Sequence, residues 1–197
     1  MKKISIVTKS GKEILPYLDA AARLRIEVFR EYPYLYDGDL AYENDYLRCY
    51  SQCKQSIFVL AYADDEIIGV STGLPLSSAD AAFQRAFSNH AWPLETIFYL
   101  GESVLLSEYR GRGVGHAFFD HREGHAKKLG YTTTAFCAVD RPETHALRPT
   151  NYRSNEHLWQ KRGYQEHLEL SANLAWQEIG HKEEQQNTLH FWVRDVL

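Results

Sequence analysis

Between Tyr109 and Phe118 the chain reads YRGRGVGHAF, with three glycines and two arginines in its first seven positions. Glycine lets consecutive backbone N–H groups crowd together with no side chain between them, and a helix starting at such a point aims its positive end at them. That is chemistry for an anion, and phosphate oxygens suit it best. A second candidate is Glu102, the only acid inside the apolar run Thr96–Leu106 that leads into the glycines. A carboxylate held in a strand can take up a proton, which in a positioned general base is worth about 10²–10⁴-fold in rate. A third grouping, FREYPYLYDGDLAYENDY, mixes Tyr32, Tyr34, Tyr36 and Tyr42 with Asp37, Asp39, Glu43 and Asp45. Aromatic walls with carboxylates suit a cation, although the same residues also make an ordinary half-buried loop. His121 and His125 stand one turn apart in HREGH, but Glu123 occupies neither the HExxH position nor its inverted form, so no metal is expected.

These groups need a scaffold, and the whole chain limits what it can be. With 197 residues, 44% hydrophobic and 24% charged, the composition is that of an ordinary globular chain long enough for one domain, taken as 1–197. A net charge of -4 offers no clustered basic face for nucleic acid. No apolar run approaches the roughly 20 residues of a membrane span, and MKKISIVTKSGKEI lacks the apolar core of a signal sequence. Cys49, Cys53 and Cys137 are odd in number and lack zinc or disulfide spacing, which favours reduced thiols and a cytoplasmic location.

No repeat or linker divides the chain, so the segments read as one layered unit. Ile4–Thr8 reads as a strand, and apolar positions from Ile14 to Phe29 fall at helical spacing, Pro16 being tolerated only near the start. A helix over Leu40–Ser51 is capped by Asp39. Two strands joined at Asp64-Asp65 make a hairpin. After a short helix near Ala79–Phe87, Thr96–Leu106 is a central strand, and Gly113–Leu129, ending at Gly130, is a helix. Thr132–Asp140 is a strand and Asn155–Arg162 a short helix. Leu168 to Trp176 alternate as a half-buried strand, and Leu189–Val193 closes the sheet after a polar turn.

Arg110-Gly111-Arg112-Gly113-Val114-Gly115 matches the Arg/Gln-x-x-Gly-x-Gly/Ala signature of the GNAT acetyltransferase superfamily, and it stands where that family has it, between the fourth strand and the next helix. The chain resembles that family in order of elements over most of its length, and in residues from Tyr99 to Tyr164, where NEHLWQKRGY is similar to the family's later Asn-containing helix. The resemblance implies an α/β fold: a mixed, mostly antiparallel sheet of about seven strands, splayed between strands 4 and 5 and flanked by helices. It implies acetyl-CoA as co-substrate, its pyrophosphate in the segment Arg110, Gly111, Arg112, Gly113, Val114, Gly115 and His116, chiefly on the amides from Arg112 to Gly115 and the helix N-terminus with charge added by Arg110 and Arg112, and its pantetheine arm along Val104, Leu105 and Leu106, with Asn155 bonding the arm. A bare dinucleotide fingerprint fits worse, since it would need glycine at His116.

For transfer to an amine, Glu102 is the candidate base, and an amide N–H near Leu105 would meet the oxyanion. Many family members carry a tyrosine beside the thiol where this chain has Trp159. An indole is not a practical acid, so Tyr152, His157 or water is expected to protonate the thiolate, with Trp159 as pocket wall or core. Tyr32, Tyr34 and Tyr36 fall where the family roofs its acceptor site, and Arg141, Arg148 and Arg153 suit a carboxylate on the acceptor. Gly101 is expected to mark a bulge. The expectation is a small-molecule amine acetyltransferase, with a homodimer admitted. The alternatives are a protein or peptide N-acetyltransferase and a non-catalytic acyl-CoA-binding sensor.

Overall fold

The structure is a computed structural model that describes residues 2–196. The chain opens with β1 (Ile4–Lys9) and a 3-10 turn, Gly11–Tyr17, followed by α1 (Leu18–Phe29) and α2 (Leu40–Gln52). Pro16 lies in the 3-10 turn, so α1 begins later than Ile14: proline has no N–H to donate and its ring crowds the preceding turn. The Asp39 side chain caps α2 by accepting from the Tyr42 amide. β2 (Ile57–Ala63) and β3 (Glu66–Pro75) are buried along almost their whole length, as strands covered on both faces must be. Then follow α3 (Ala81–Ala86), β4 (Ile97–Leu105), α4 (Val114–Lys128), β5 (Thr133–Val139), α5 (Glu156–Lys161), β6 (Gln165–Gln177) and β7 (Glu184–Asp195). β7 starts before Leu189, because Glu184–Thr188 pair with β6 in register, Asn187 being buried and its neighbours left partly or fully exposed.

The seven strands form one sheet in the order β1-β2-β3-β4-β5-β7-β6, and every neighbouring pair is antiparallel except β4–β5. One apolar cluster packs α1, α2 and α3 onto one face, through Leu18, Ala21, Leu24, Leu47, Tyr50 and Phe83. A second packs α4 onto the other, through Phe118, Phe119, Phe136, Tyr164 and Trp192.

Two irregularities in β4 position the site. First, β4 and β5 pair over only Ile97↔Thr133, Phe98↔Thr134 and Tyr99↔Ala135. Beyond Tyr99 the strands part, β4 staying with β3 and β5 with β7. Second, Ser71 opposes Ser103 while Gly73 opposes Leu100, so the single Thr72 faces both Gly101 and Glu102. This is a β-bulge, and Gly101 has a packing reason to be there: a Cβ would run into the Thr72 and Tyr50 hydroxyls.

Candidate functional site

At the end of β4 the glycine segment turns into α4 with Gly111 at φ 73° and Gly113 at φ 83°. Both angles lie in the left-handed region that glycine enters without steric cost. None of the amides from Gly111 to His116 donates to another group among the described residues. Six successive donors are thus unspent, the last of them at the open end of a 15-residue helix. A Cβ on Gly115 would meet only Leu158, at 3.7 Å. Arg110 and Arg112 hold the segment's shape. Arg110 donates to the Leu105 carbonyl (3.1 Å) and pairs with Glu31 (2.8 Å), and Arg112 donates to the Glu108 carbonyl (2.8 Å) and lies over the Tyr109 ring. His116 is exposed, 3.4 Å from Arg162.

The register of β3 and β4 decides which strand amides face the gap. Leu106 N–H donates to the Ile68 carbonyl, and Val104 pairs with Val70 in the same hydrogen-bonding phase. Alternation therefore turns the N–H groups of Ser103 and Leu105 toward the parting strands, while those of Val104 and Leu106 are spent on β3. Of the three residues expected along the pantetheine arm, Leu105 alone offers its amide there.

Glu102 projects from the bulge to the α1–α2 side, with its side chain 3% exposed. Arg25 Nη1 lies 2.9 Å from its Oε2, and Arg25 Nε donates to Oε2 of Glu43, whose side chain is fully buried. The guanidinium also sits over the Phe29 and Tyr46 rings. One cation is thus shared between two carboxylates, and Oε1 of each is left without a hydrogen-bond partner. The Thr72 hydroxyl beside Glu102 and the Tyr36 hydroxyl beside Glu43 are near enough to act on them electrostatically, yet neither completes a well-directed bond. Burial raises the Glu102 carboxyl above its ordinary value; Arg25 opposes this and Glu43 adds to it. Burial works against the Arg25 charge as well, but Glu102, Tyr46 and Glu43 hold it well above its usual value.

Glu102 lies on the wall of a cavity of about 180 Å³ that opens where β4 and β5 diverge. Tyr99 and Gly101 line it from β4, Cys137 from β5, Leu174 and Trp176 from β6, and Tyr34, Tyr36, Tyr42 and Tyr46 from the segment around α2. Cys137 Sγ is 3.2 Å from the Tyr99 hydroxyl, and burial pushes its thiol up to about 12, which keeps it protonated. The roof is tied down. Asp37 N–H donates to the Gln177 carbonyl, Ile179 N–H to that of Leu35, and Trp176 Nε1 to that of Tyr34. Arg141 donates to the Pro33 and Tyr34 carbonyls while paired with Glu178.

Behind the bulge, on the α4 side, Arg122 is 1% exposed and has no carboxylate partner. It donates to the Thr72 carbonyl (3.2 Å), the Glu102 carbonyl (3.4 Å) and Ser103 Oγ (2.8 Å), and burial pulls its guanidinium down to about 10. These bonds brace both strands where their ladder is interrupted.

Other candidates stand apart from the cavity. Tyr32 packs against Tyr152 (ring centroids 4.7 Å apart) and His145, and neither Tyr32 nor Tyr152 is on the cavity wall. His157 and Asn155 are exposed on α5. The Asn155 side chain makes no cap bond; Ser154 Oγ accepts the Glu156 amide instead. Trp159 belongs to the aromatic cluster under α4, against Phe136 and Trp192, on the opposite face of the sheet from Glu102. Arg141 is consumed by the roof, and Arg148 lies 3.5 Å from Glu143 and over the Tyr152 ring, so neither is offered to an acceptor. His125 bonds the Gln55 carbonyl, and no metal-ligand cluster occurs among the described residues. Arg25 and Arg122 were missed from the sequence. Their signal was a charge on an apolar stripe, Arg25 with Leu18, Ala21, Ala22 and Phe29, and Arg122 with Phe118, Phe119 and Ala126.

A splayed mixed sheet with a glycine-rich turn of free amides after its fourth strand is the frame that the comparisons match. The profile described as Acetyltransferase (GNAT) family matches residues 21–164. The chain belongs to the GNAT acetyltransferase family. Its fold is similar to that of an N-acetyltransferase from Staphylococcus aureus Mu50 (15% identity, TM-score 0.59, 99% of each chain covered). It is also similar to an acetyltransferase from Thermus thermophilus (13%, 0.57, 99% of each). A third similar structure, yncA from Salmonella typhimurium, was solved with its cofactor acetyl-CoA (9%, 0.59, 98% of this chain and 94% of that one). No curated protein matches the sequence.

Proposed function

We propose that the protein transfers an acetyl group from acetyl-CoA to the primary amine of a small molecule, by direct attack with both substrates bound. The observation that carries this reading is the roofed cavity at the divergence of β4 and β5, with Glu102, whose carboxyl is raised by burial, on its wall. The six free amides from Gly111 to His116 suit a pyrophosphate, each charged hydrogen bond being worth about 1.5–3 kcal/mol. The exposed edge at Ser103 and Leu105 suits an extended amide-bearing arm. A thioester laid along that edge reaches the mouth of the cavity between Tyr99 and Cys137.

Glu102 takes a proton from the acceptor ammonium, and the freed amine attacks the thioester carbonyl carbon. The C–N bond forms, the oxyanion is met by the Leu105 N–H, the C–S bond breaks, and the second proton that the nitrogen must lose passes through water or a cavity phenol to the departing thiolate. The tied-down roof favours small acceptors over a polypeptide, which needs an open groove.

The test is release of free CoA from acetyl-CoA with a panel of small amines and peptides, with products checked by mass spectrometry. Amine-dependent CoA release with acetylated small molecules is expected. Transfer to peptides alone would establish the protein acetyltransferase alternative. Tight acetyl-CoA binding with no release on any acceptor would establish the sensor.

A further inference from the structure

Every acid and base on the cavity wall can be named, and together they select among amines. The acids are Glu43, Asp80 and Glu102; the only base is Arg25, both of whose partners are among those acids. Glu43 Oε1 and Glu102 Oε1 are buried and unpartnered, so one shared guanidinium leaves negative charge on this wall unsatisfied. The arginines that could have received an acid, Arg141, Arg148 and Arg153, are all absent from the wall. The rest of the lining is mainly aromatic, Phe29, Phe83, Trp176 and five tyrosines, with Leu174, Ala175, Leu189, Gly101 and Cys137 between them.

We propose that the acceptor is a compact amine whose only charge is its ammonium, carried on an aromatic-sized apolar body, and that the site rejects amines that also bear a carboxylate. The proposal rests on the acetyltransferase reading and narrows its substrate class. The ammonium is drawn by the negative charge of Glu43, Asp80 and Glu102, which Arg25 only partly offsets, and the rings enclose the apolar body. An α-carboxylate would enter beside Glu102 with no cation free to receive it. It would be desolvated and repelled together, so specificity comes as much from rejection as from attraction.

Tyramine and tyrosine make the decisive pair, since they share ring and amine and differ in the carboxylate. With acetyl-CoA as donor, kcat/KM for tyramine is expected to exceed that for tyrosine at least 100-fold. Calorimetry with CoA present should show tyramine binding and no tyrosine binding. Asp80→Asn at the exposed mouth and Glu43→Gln within should each raise KM for tyramine at least fivefold and shrink the preference. Tyrosine turned over within tenfold of tyramine would overturn the inference while leaving the acetyltransferase reading intact. Selective tyramine binding without acetylation would support the inference and sink that reading. Binding of neither, by both measurements, would overturn the inference.

Discussion

Replacing Glu102 by glutamine removes the proposed base while disturbing little else. Arg25 Nη1 now meets Glu102 Oε2 at 2.9 Å, and a glutamine carbonyl in that position still accepts the bond. The new amide N–H₂ falls where Oε1 is orphaned, beside the equally orphaned Thr72 hydroxyl, and can donate to it. Arg25 keeps the charge of Glu43, and the burial penalty on the Glu102 carboxylate disappears. Loss of the ion pair and relief of desolvation therefore nearly cancel, leaving a stability change of about 1 kcal/mol, or about 2–4 °C in Tm. The free amides of the glycine segment are untouched, so acetyl-CoA affinity should stay within about twofold. Turnover should fall at least about tenfold and centre on about 100-fold, the low end for a lost general base and about 2.7 kcal/mol of barrier. The pH profile adds a sign. Since burial raises the Glu102 carboxyl, the wild-type rate should climb with pH through a limb lying above the ordinary carboxylate range, and that limb should vanish in the variant. The assay is CoA release under saturating acetyl-CoA, with calorimetry and thermal melting on the same preparation. Unchanged turnover, or an unchanged limb, would remove Glu102 from the chemistry.

Gly115→Glu should fold with Tm within a few degrees of wild type, because its Cβ meets only Leu158 at 3.7 Å, yet lose acetyl-CoA binding; retained affinity by calorimetry would refute the anion loop. Gly101→Ala drives a methyl into the Thr72 and Tyr50 hydroxyls, so it should destabilise by about 1–3 kcal/mol and lower turnover by displacing the bulge; a variant with wild-type Tm and kcat would show the bulge to be tolerant. Arg122→Met leaves the Thr72 and Glu102 carbonyls unsatisfied, partly offset by relief of a buried charge, and should cost about 2 kcal/mol, read as a Tm drop of about 4–8 °C; an unchanged melt would mean the brace carries no stability.

Much of the scaffold was legible in the chain. The 3.6-residue stripe from Leu18 to Phe29, the Asp39 cap and the unbroken apolar character of β2 to β4 depend on side chains within one segment, and they marked the elements to within a few residues. Where local reading slipped, longer-range pairing won. Glu184–Thr188 look like a polar turn alone but are held in β7 by β6, and Leu168, expected on an alternating face, is 65% exposed because the register shifts between His167 and Ser171.

The glycine segment was legible for the same reason as the elements. Left-handed turns and free helix-end amides are properties of a few consecutive residues, so YRGRGVG by itself determined a left-handed turn with unspent amides. The proposed acceptor site was not of that kind. Glu102 is far along the chain from Tyr36 and Glu43, and Trp176 farther still; they line one cavity only in the folded chain. Whether Arg141 faced an acceptor or clamped a loop, and which face of the sheet held Trp159, were likewise settled by packing. Backbone conformation follows from neighbours in sequence, whereas burial and the sharing of one guanidinium between two carboxylates follow from neighbours in space; only the folded chain brought Arg25 to Glu43 and Glu102.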